Sequence, residues 1–146
     1  MNYRQAKRTD LHEILNLYKE LNPDDPILQI EKANSIWDII ERNSLIRYYV
    51  ATDNEKIIAS CTIALIPNLT RGGRPYAIIE NVITKAEYRN KGIGRGIINA
   101  AVDFAKENNC YKVILLSSVK RTEAHRFYES IGFDGKSKRG FELRLL

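Results

Sequence analysis

Residues 78–105, IIENVITKAEYRNKGIGRGIINAAVDFA, change hydrophobic period halfway along, and that change limits what the chain can become. Ile78 to Thr84 is rich in β-branched residues and reads as a buried strand. From Ile93 the period shifts, and Ile93, Ile97, Ala101, Phe104 and Ala105 share one face of a helix. The junction, Arg89-Asn90-Lys91-Gly92-Ile93-Gly94-Arg95, holds three cations and two glycines. A helix N-terminus carries about +0.5 of partial charge and normally attracts Asp or Glu. This one gathers cations instead. It is electrostatically frustrated unless an anion sits there, and bare N–H groups at a helix start suit a phosphate. The competing reading is a plain strand-to-helix turn with solvated cations.

Known phosphate loops narrow the choice. A dinucleotide fingerprint needs a third glycine where Ile97 stands, and a Walker loop needs Gly-Lys followed by Ser or Thr, which is absent from this junction. The pattern present is Arg-x-x-Gly-x-Gly, at Arg89, Gly92 and Gly94, after a strand and opening a helix. Here the chain resembles the GNAT superfamily of acyl-CoA-dependent N-acetyltransferases, whose pyrophosphate loop has this pattern in this context. A second stretch, Ala124-His125-Arg126-Phe127-Tyr128-Glu129-Ser130-Ile131-Gly132-Phe133, is similar to the family's Ala-x-x-Phe-Tyr-x-x-x-Gly-Phe signature. Asn90 stands where many members have Gly, and Arg121 where many have Asn.

The rest of the chain fits one α/β domain over residues 1–146. Tyr3 to Lys7 is a strand candidate. Thr9 then reads as the N-cap of a helix with Leu11, Ile14, Leu15, Tyr18 and Leu21 on its apolar face. Ile27 to Arg42 has helical spacing through Ile30, Ala33, Ile36, Trp37 and Ile40, with Trp37 read as core. Ile46 to Ala51 and Lys56 to Ile66 flank a polar turn and read as a hairpin. Lys112 to Ser117 reads as a strand covered on both faces, Thr122 to Ile131 as a helix closed by Gly132, and Phe141 to Leu145 as a final strand. The expected architecture is α/β in three layers, a mixed, mostly antiparallel central sheet flanked by helices, which is also the order of elements in the GNAT fold.

Composition excludes several classes. No apolar run approaches the roughly 20 residues that span a bilayer, and the N-terminus has no apolar signal segment. A cytoplasmic protein without membrane association is expected. Cys61 and Cys110 are too few for a disulfide framework, and no metal site is predicted. Net charge is +5, but the basic residues are interspersed with acids and form no basic helix or aromatic-studded basic strand. Nucleic acid is therefore a minor alternative, beside a catalytically silent CoA-binding module.

The resemblance implies acetyl-CoA as co-substrate and a small-molecule amine as acceptor. It implies that Arg89, Asn90, Lys91, Gly92, Ile93 and Gly94 hold the pyrophosphate. The backbone of Val82, Ile83 and Thr84 would pair with the pantetheine arm like another strand. An alkylammonium has a pKa of about 10, so a base must take its proton. Glu80 interrupts an apolar strand just before the donor residues and is the first candidate, with a water chain as the alternative and a solvent-facing Glu as the plain reading. His12 and His125 are weaker bases, on helices at positions that can simply face water, and Asp24 and Asp25 could attract a cationic acceptor or be a solvated acidic loop. A thiolate leaves more readily when an acid protonates it, and the place of Tyr128 in the Phe-Tyr signature makes it the candidate. Arg71 and Arg74 precede the strand that carries Glu80 and could favour acceptors with an anionic group. The competing readings are a solvated loop or a subunit contact in a homodimer. Ile79-Glu80-Asn81-Val82 and Tyr111 to Leu115 are similar to glucosamine-phosphate acetyltransferases. Val119-Lys120-Arg121 with Ala124 to Tyr128 is similar to aminoalkylphosphonate acetyltransferases.

Overall fold

In a computed structural model describing all residues 1–146, the chain divides into two compact units, Met1–Ile114 and Leu115–Leu146. The first contains β1 (Asn2–Gln5), α1 (Leu11–Leu21), α2 (Ile30–Arg42), β2 (Ile46–Asp53), β3 (Lys56–Ile66), β4 (Tyr76–Thr84) and α3 (Ile93–Glu107). β5 (Val113–Leu115) lies at the boundary, and α4 (Thr122–Ser130) is the helix of the second unit. The five strands form one sheet in the order β1-β2-β3-β4-β5. β1 to β4 are antiparallel, whereas α3 carries the chain across to β5, which makes the sheet mixed.

Side-chain alternation along the strands builds two cores. Tyr49 and Cys61 face each other across β2 and β3 on the α3 side: the Tyr49 ring lies 6.4 Å from Phe104, and Cys61 Sγ lies 3.7 Å from the Ile97 carbonyl. The face of α3 expected to be buried, Ile93, Ile97, Ala101, Phe104 and Ala105, is buried. Gly96 seats the helix, because a Cβ there would stand 2.2 Å from the Tyr3 ring of β1. On the opposite face Ile14, Leu17, Ala33 and Trp37 of α1 and α2 pack with Val50, Ile57 and Ile83. Trp37 is core, its ring edge-on to Tyr48 at 5.5 Å.

Three local expectations are corrected. Thr9 does not cap α1: it sits inside a single 3-10 turn, Arg8–Asp10, and the helix opens after Asp10, whose carboxylate accepts the Lys7 N–H at 2.7 Å. α2 starts at Ile30 rather than Ile27, and Ile27 is 82% exposed. Phe141 to Leu145 is not a strand. Its alternation defines a face, but a strand needs a partner to take its backbone bonds, and Phe141, Leu143 and Leu145 remain exposed.

Candidate functional site

β4 is regular up to Glu80 and then changes. Thr62 pairs with Glu80 and Ser60 pairs with Ile83, so two residues of β4, Asn81 and Val82, stand against Cys61 alone. This is a β-bulge, and Asn81 takes it with φ +53, a conformation Asn tolerates better than most residues. Sequence reasoning missed Asn81, although a lone Asn inside a β-branched run is the available signal.

β5 leaves the same stretch of β4 unpaired. Its side of the pairing begins with Tyr111 N–H to the Pro75 carbonyl, 2.9 Å, and Ala77 N–H to the Lys112 carbonyl, 3.0 Å. A three-residue strand that starts there cannot follow nine residues of β4. The Val82 to Thr84 segment therefore offers backbone along an open edge.

The chain then turns into α3 through a loop held from several sides. Lys85 N–H reaches the Ile58 carbonyl at 2.9 Å, Glu20 of α1 accepts the Ala86 N–H at 3.3 Å, and the Tyr88 hydroxyl donates to Asp53 at 3.4 Å. Arg89 Nε donates to the Thr84 carbonyl at 3.0 Å, and Lys91 Nζ donates to the Glu87 carbonyl while lying over the Tyr88 ring. Glu20 and Asp53 were not legible as loop supports, because each lies far from the loop in sequence.

Within this frame Asn90 and Gly92 both have positive φ, +59 and +78. The first bond of α3 runs from Gly96 N–H to the Gly92 carbonyl, so the amides of Ile93 and Gly94 have no backbone acceptor. The first turn has no acidic residue, and a Cβ built on Gly92 would meet nothing within 4 Å. Bare amides, open space and the cations Arg89 and Lys91 fit a pyrophosphate, and the open edge just upstream fits an extended amide-bearing arm. No group of three or more His, Cys, Asp or Glu is placed to hold a metal.

Glu80 lies in the same unit, exposed, on the α1 side of the sheet and immediately before the bulge. Arg71 and Arg74 do not join it. Glu80 lies six positions beyond Arg74, about 20 Å of extended chain at about 3.3 Å per residue, and Arg74 instead donates to the Asn109 and Cys110 carbonyls at 3.2 and 3.1 Å. Arg71 lies over the Tyr111 ring. Cys61 is fully buried, and burial pushes its thiol up to about 12, away from the thiolate form that attacks. In the second unit, the Tyr128 ring of α4 lies 5.2 Å from Phe127 and 6.0 Å from Phe133. Gly132, at φ +103, turns the chain so that Phe133 N–H returns to the Tyr128 carbonyl. His125 Nε2 lies 2.8 Å from the Ser118 carbonyl.

Known proteins share this fold. The model of the acetyltransferase (GNAT) family matches residues 9–133. The chain is 32% identical over 134 residues to a glucosamine 6-phosphate N-acetyltransferase of Trypanosoma brucei brucei, covering 91% of this chain and 88% of that one. A solved putative acetyltransferase from Agrobacterium tumefaciens superposes with a TM-score of 0.94 at 41% identity, over 99% of this chain and 100% of the other. An aminoglycoside N-acetyltransferase solved in complex with CoA shares the fold at TM-score 0.83 and 17% identity, over 98% and 93% of the two chains. The chain therefore belongs to this family: it is a GNAT-family, acyl-CoA-dependent N-acetyltransferase.

Proposed function

We propose that the protein moves an acetyl group from acetyl-CoA directly to the primary amine of a small molecule that also carries an oxyanion such as a phosphate. The observation that carries the donor half is an order along the chain: the open edge at Val82 to Thr84 is followed, after one loop, by the bare helix start at Ile93 and Gly94. The donor has the same order, an amide-bearing arm and then a pyrophosphate. Val82, Ile83 and Thr84 bind the arm through backbone groups. Arg89, Asn90, Lys91, Gly92, Ile93 and Gly94 surround the pyrophosphate, the amides supplying hydrogen bonds and Arg89 and Lys91 supplying charge.

The thioester supplies an activated acetyl carbon. Glu80, directly or through a water, takes the proton that the acceptor's ammonium must lose before its nitrogen has a lone pair. Tyr128 gives its hydroxyl proton to the departing thiolate, a role that rests on its place in the Phe-Tyr signature. The phosphate-bearing acceptor rests on the name of a relative that is 32% identical over 91% of this chain and on the residues Ile79 to Val82. Arg71 and Arg74 enter this reading as supports of the loop before β4.

Thiol release measured with acetyl-CoA and a panel of amines, including glucosamine 6-phosphate, an aminoglycoside and amines without an anionic group, tests the acceptor class. Preference for a neutral amine removes the phosphate from the proposal. For the acid, Tyr128→Phe keeps the ring beside Phe127 and removes the proton donor. General acid catalysis is worth about 10²- to 10⁴-fold, so kcat should fall at least about tenfold with acetyl-CoA affinity and Tm near those of the unmodified protein. Preserved kcat withdraws Tyr128.

A further inference from the structure

On the α1 side of the sheet, three strands place one residue each in a row: Tyr48 of β2 pairs with Thr62 of β3, and Thr62 pairs with Glu80 of β4. Ser60 stands one position along on the same face, and Tyr18 of α1 lies over both. The Tyr18, Ser60 and Thr62 hydroxyls are buried, and none makes a hydrogen bond of good geometry to a protein group. Burial holds the Tyr18 phenol well above its ordinary pKa, with the Thr62 and Ser60 hydroxyls drawing it partly back, so it stays a neutral O–H donor. Buried donors without acceptors are rare enough in folded proteins to need a reason.

The reason stands in the same row. Glu80 is exposed, and its carboxylate, which can accept several hydrogen bonds, takes none from the protein. Residues directly opposite across antiparallel strands have Cβ atoms about 4.5–5.5 Å apart, within the swing of a glutamate side chain. Thr62, a buried donor with no acceptor outside this hydroxyl cluster, and Glu80, an acceptor with no protein donor, are thus cross-strand neighbours. The bulge at Asn81 fixes this, because it begins one residue after Glu80 and leaves the Thr62–Glu80 pairing intact.

We infer that Thr62, backed by Tyr18 and Ser60, is a positioning residue for Glu80: when an acceptor amine displaces solvent, the carboxylate turns inward onto the Thr62 hydroxyl and is held in the orientation that receives the amine's proton. A hydrogen bond that holds a base in place lowers the barrier by sparing the transition state that ordering. This rests on Glu80 as the base, and the experiment separates the two claims.

Steady-state kinetics with acetyl-CoA and the fastest amine of the panel are compared for Thr62→Val, Thr62→Ser, Glu80→Gln and the double variant Thr62→Val/Glu80→Gln, with Tm measured for each. Thr62→Val removes the hydroxyl at nearly constant volume. It should lower kcat about three- to tenfold with KM changed by less than about twofold, leave Tm unchanged or higher, and be rescued by Thr62→Ser. In the Glu80→Gln background the same substitution should have no further effect. An equal loss in both backgrounds, or a fall in Tm that accounts for the loss, overturns the positioning role. Glu80→Gln with full activity overturns the base and the inference with it, whereas a damaged Glu80→Gln beside an unharmed Thr62→Val overturns the inference alone. If Thr62→Val does not fold, Tyr18→Phe takes its place in the same comparison.

Discussion

Two helices lie on opposite faces of the sheet, and they begin in opposite ways. α1 opens on Asp10, whose carboxylate takes the Lys7 N–H at 2.7 Å and both ends of the Arg4 guanidinium at 2.6 and 2.9 Å. Arg4 holds this carboxyl below the usual carboxylate range against the desolvation that would raise it, and the Lys7 amide adds to the effect. α3 opens on Gly92, which has no side chain, and no acid follows in the first turn. Both starts present the same partial positive charge. One has its counter-charge in its own sequence and is a structural joint; the other is left short, and in the function proposed above the ligand's pyrophosphate supplies the missing anion.

The largest effect expected from breaking this contrast is at Gly92. Gly92→Trp fills open space at the α3 start and should reduce acetyl-CoA binding by at least about 100-fold in calorimetry, since each 1.4 kcal/mol is tenfold and several amide and cation contacts are lost together. Unaltered affinity in a folded variant would dismantle the phosphate-loop reading. Gly94→Asp gives α3 the acid that α1 already has. Affinity for acetyl-CoA should fall at least about tenfold while thermal stability rises by about 0.5–1 kcal/mol, from the helix-end charge and the lost glycine. A variant that loses stability and keeps affinity would show that this helix start is not reserved for an anion.

Asp10→Asn is the converse experiment. It should cost about 2 kcal/mol by leaving Arg4 unpaired in a half-buried place, with acetyl-CoA affinity unchanged within about twofold. Because the folded pKa of Asp10 lies below its ordinary 3.8, its contribution is complete above that value and is lost as pH falls through the folded value. The variant's deficit in Tm should therefore shrink below about pH 4. A deficit that persists under acid would mean the side chain acts through packing rather than charge. The smallest effect is expected from Arg74→Ala, which releases the loop before β4 from the Asn109 and Cys110 carbonyls and should cost about 1 kcal/mol without changing the preference among amines.

How far the sequence is legible depends on whether a feature is local. The strand from Ile78, the cations, the glycines and α3 are contiguous, and a change from a β-branched run to a period of about 3.6 is visible without any partner. The bulge at Asn81 is a relation between β3 and β4, so the sequence offers only an Asn in an unexpected place. The polar row of Tyr48, Thr62 and Glu80 needs two registers at once, and Ile58, an extra residue in β3 opposite the Ala51/Thr52 step, changes the parity by which those registers would be guessed. Gly96 looks like helix sequence until Tyr3, almost a hundred residues earlier, is found beneath it. Phe141, Leu143 and Leu145 teach the reverse: perfect alternation, with no neighbouring strand to give it meaning.

The open half of β4 also bears on how the protein survives in solution. An unpaired run of backbone N–H and C=O groups is a template for any extended chain, including another copy's strand, and proteins blunt such edges with bulges, charges or covers. Here the bulge at Asn81 and the flanking Glu80 and Lys85 do part of that work. A bound arm along Val82 to Thr84 would do the rest. On this account light scattering of a concentrated, ligand-free preparation should rise faster on warming than that of the same preparation with CoA, by more than the shift in Tm explains. The small molecule would then be acting on the enzyme as an excipient as well as a reactant.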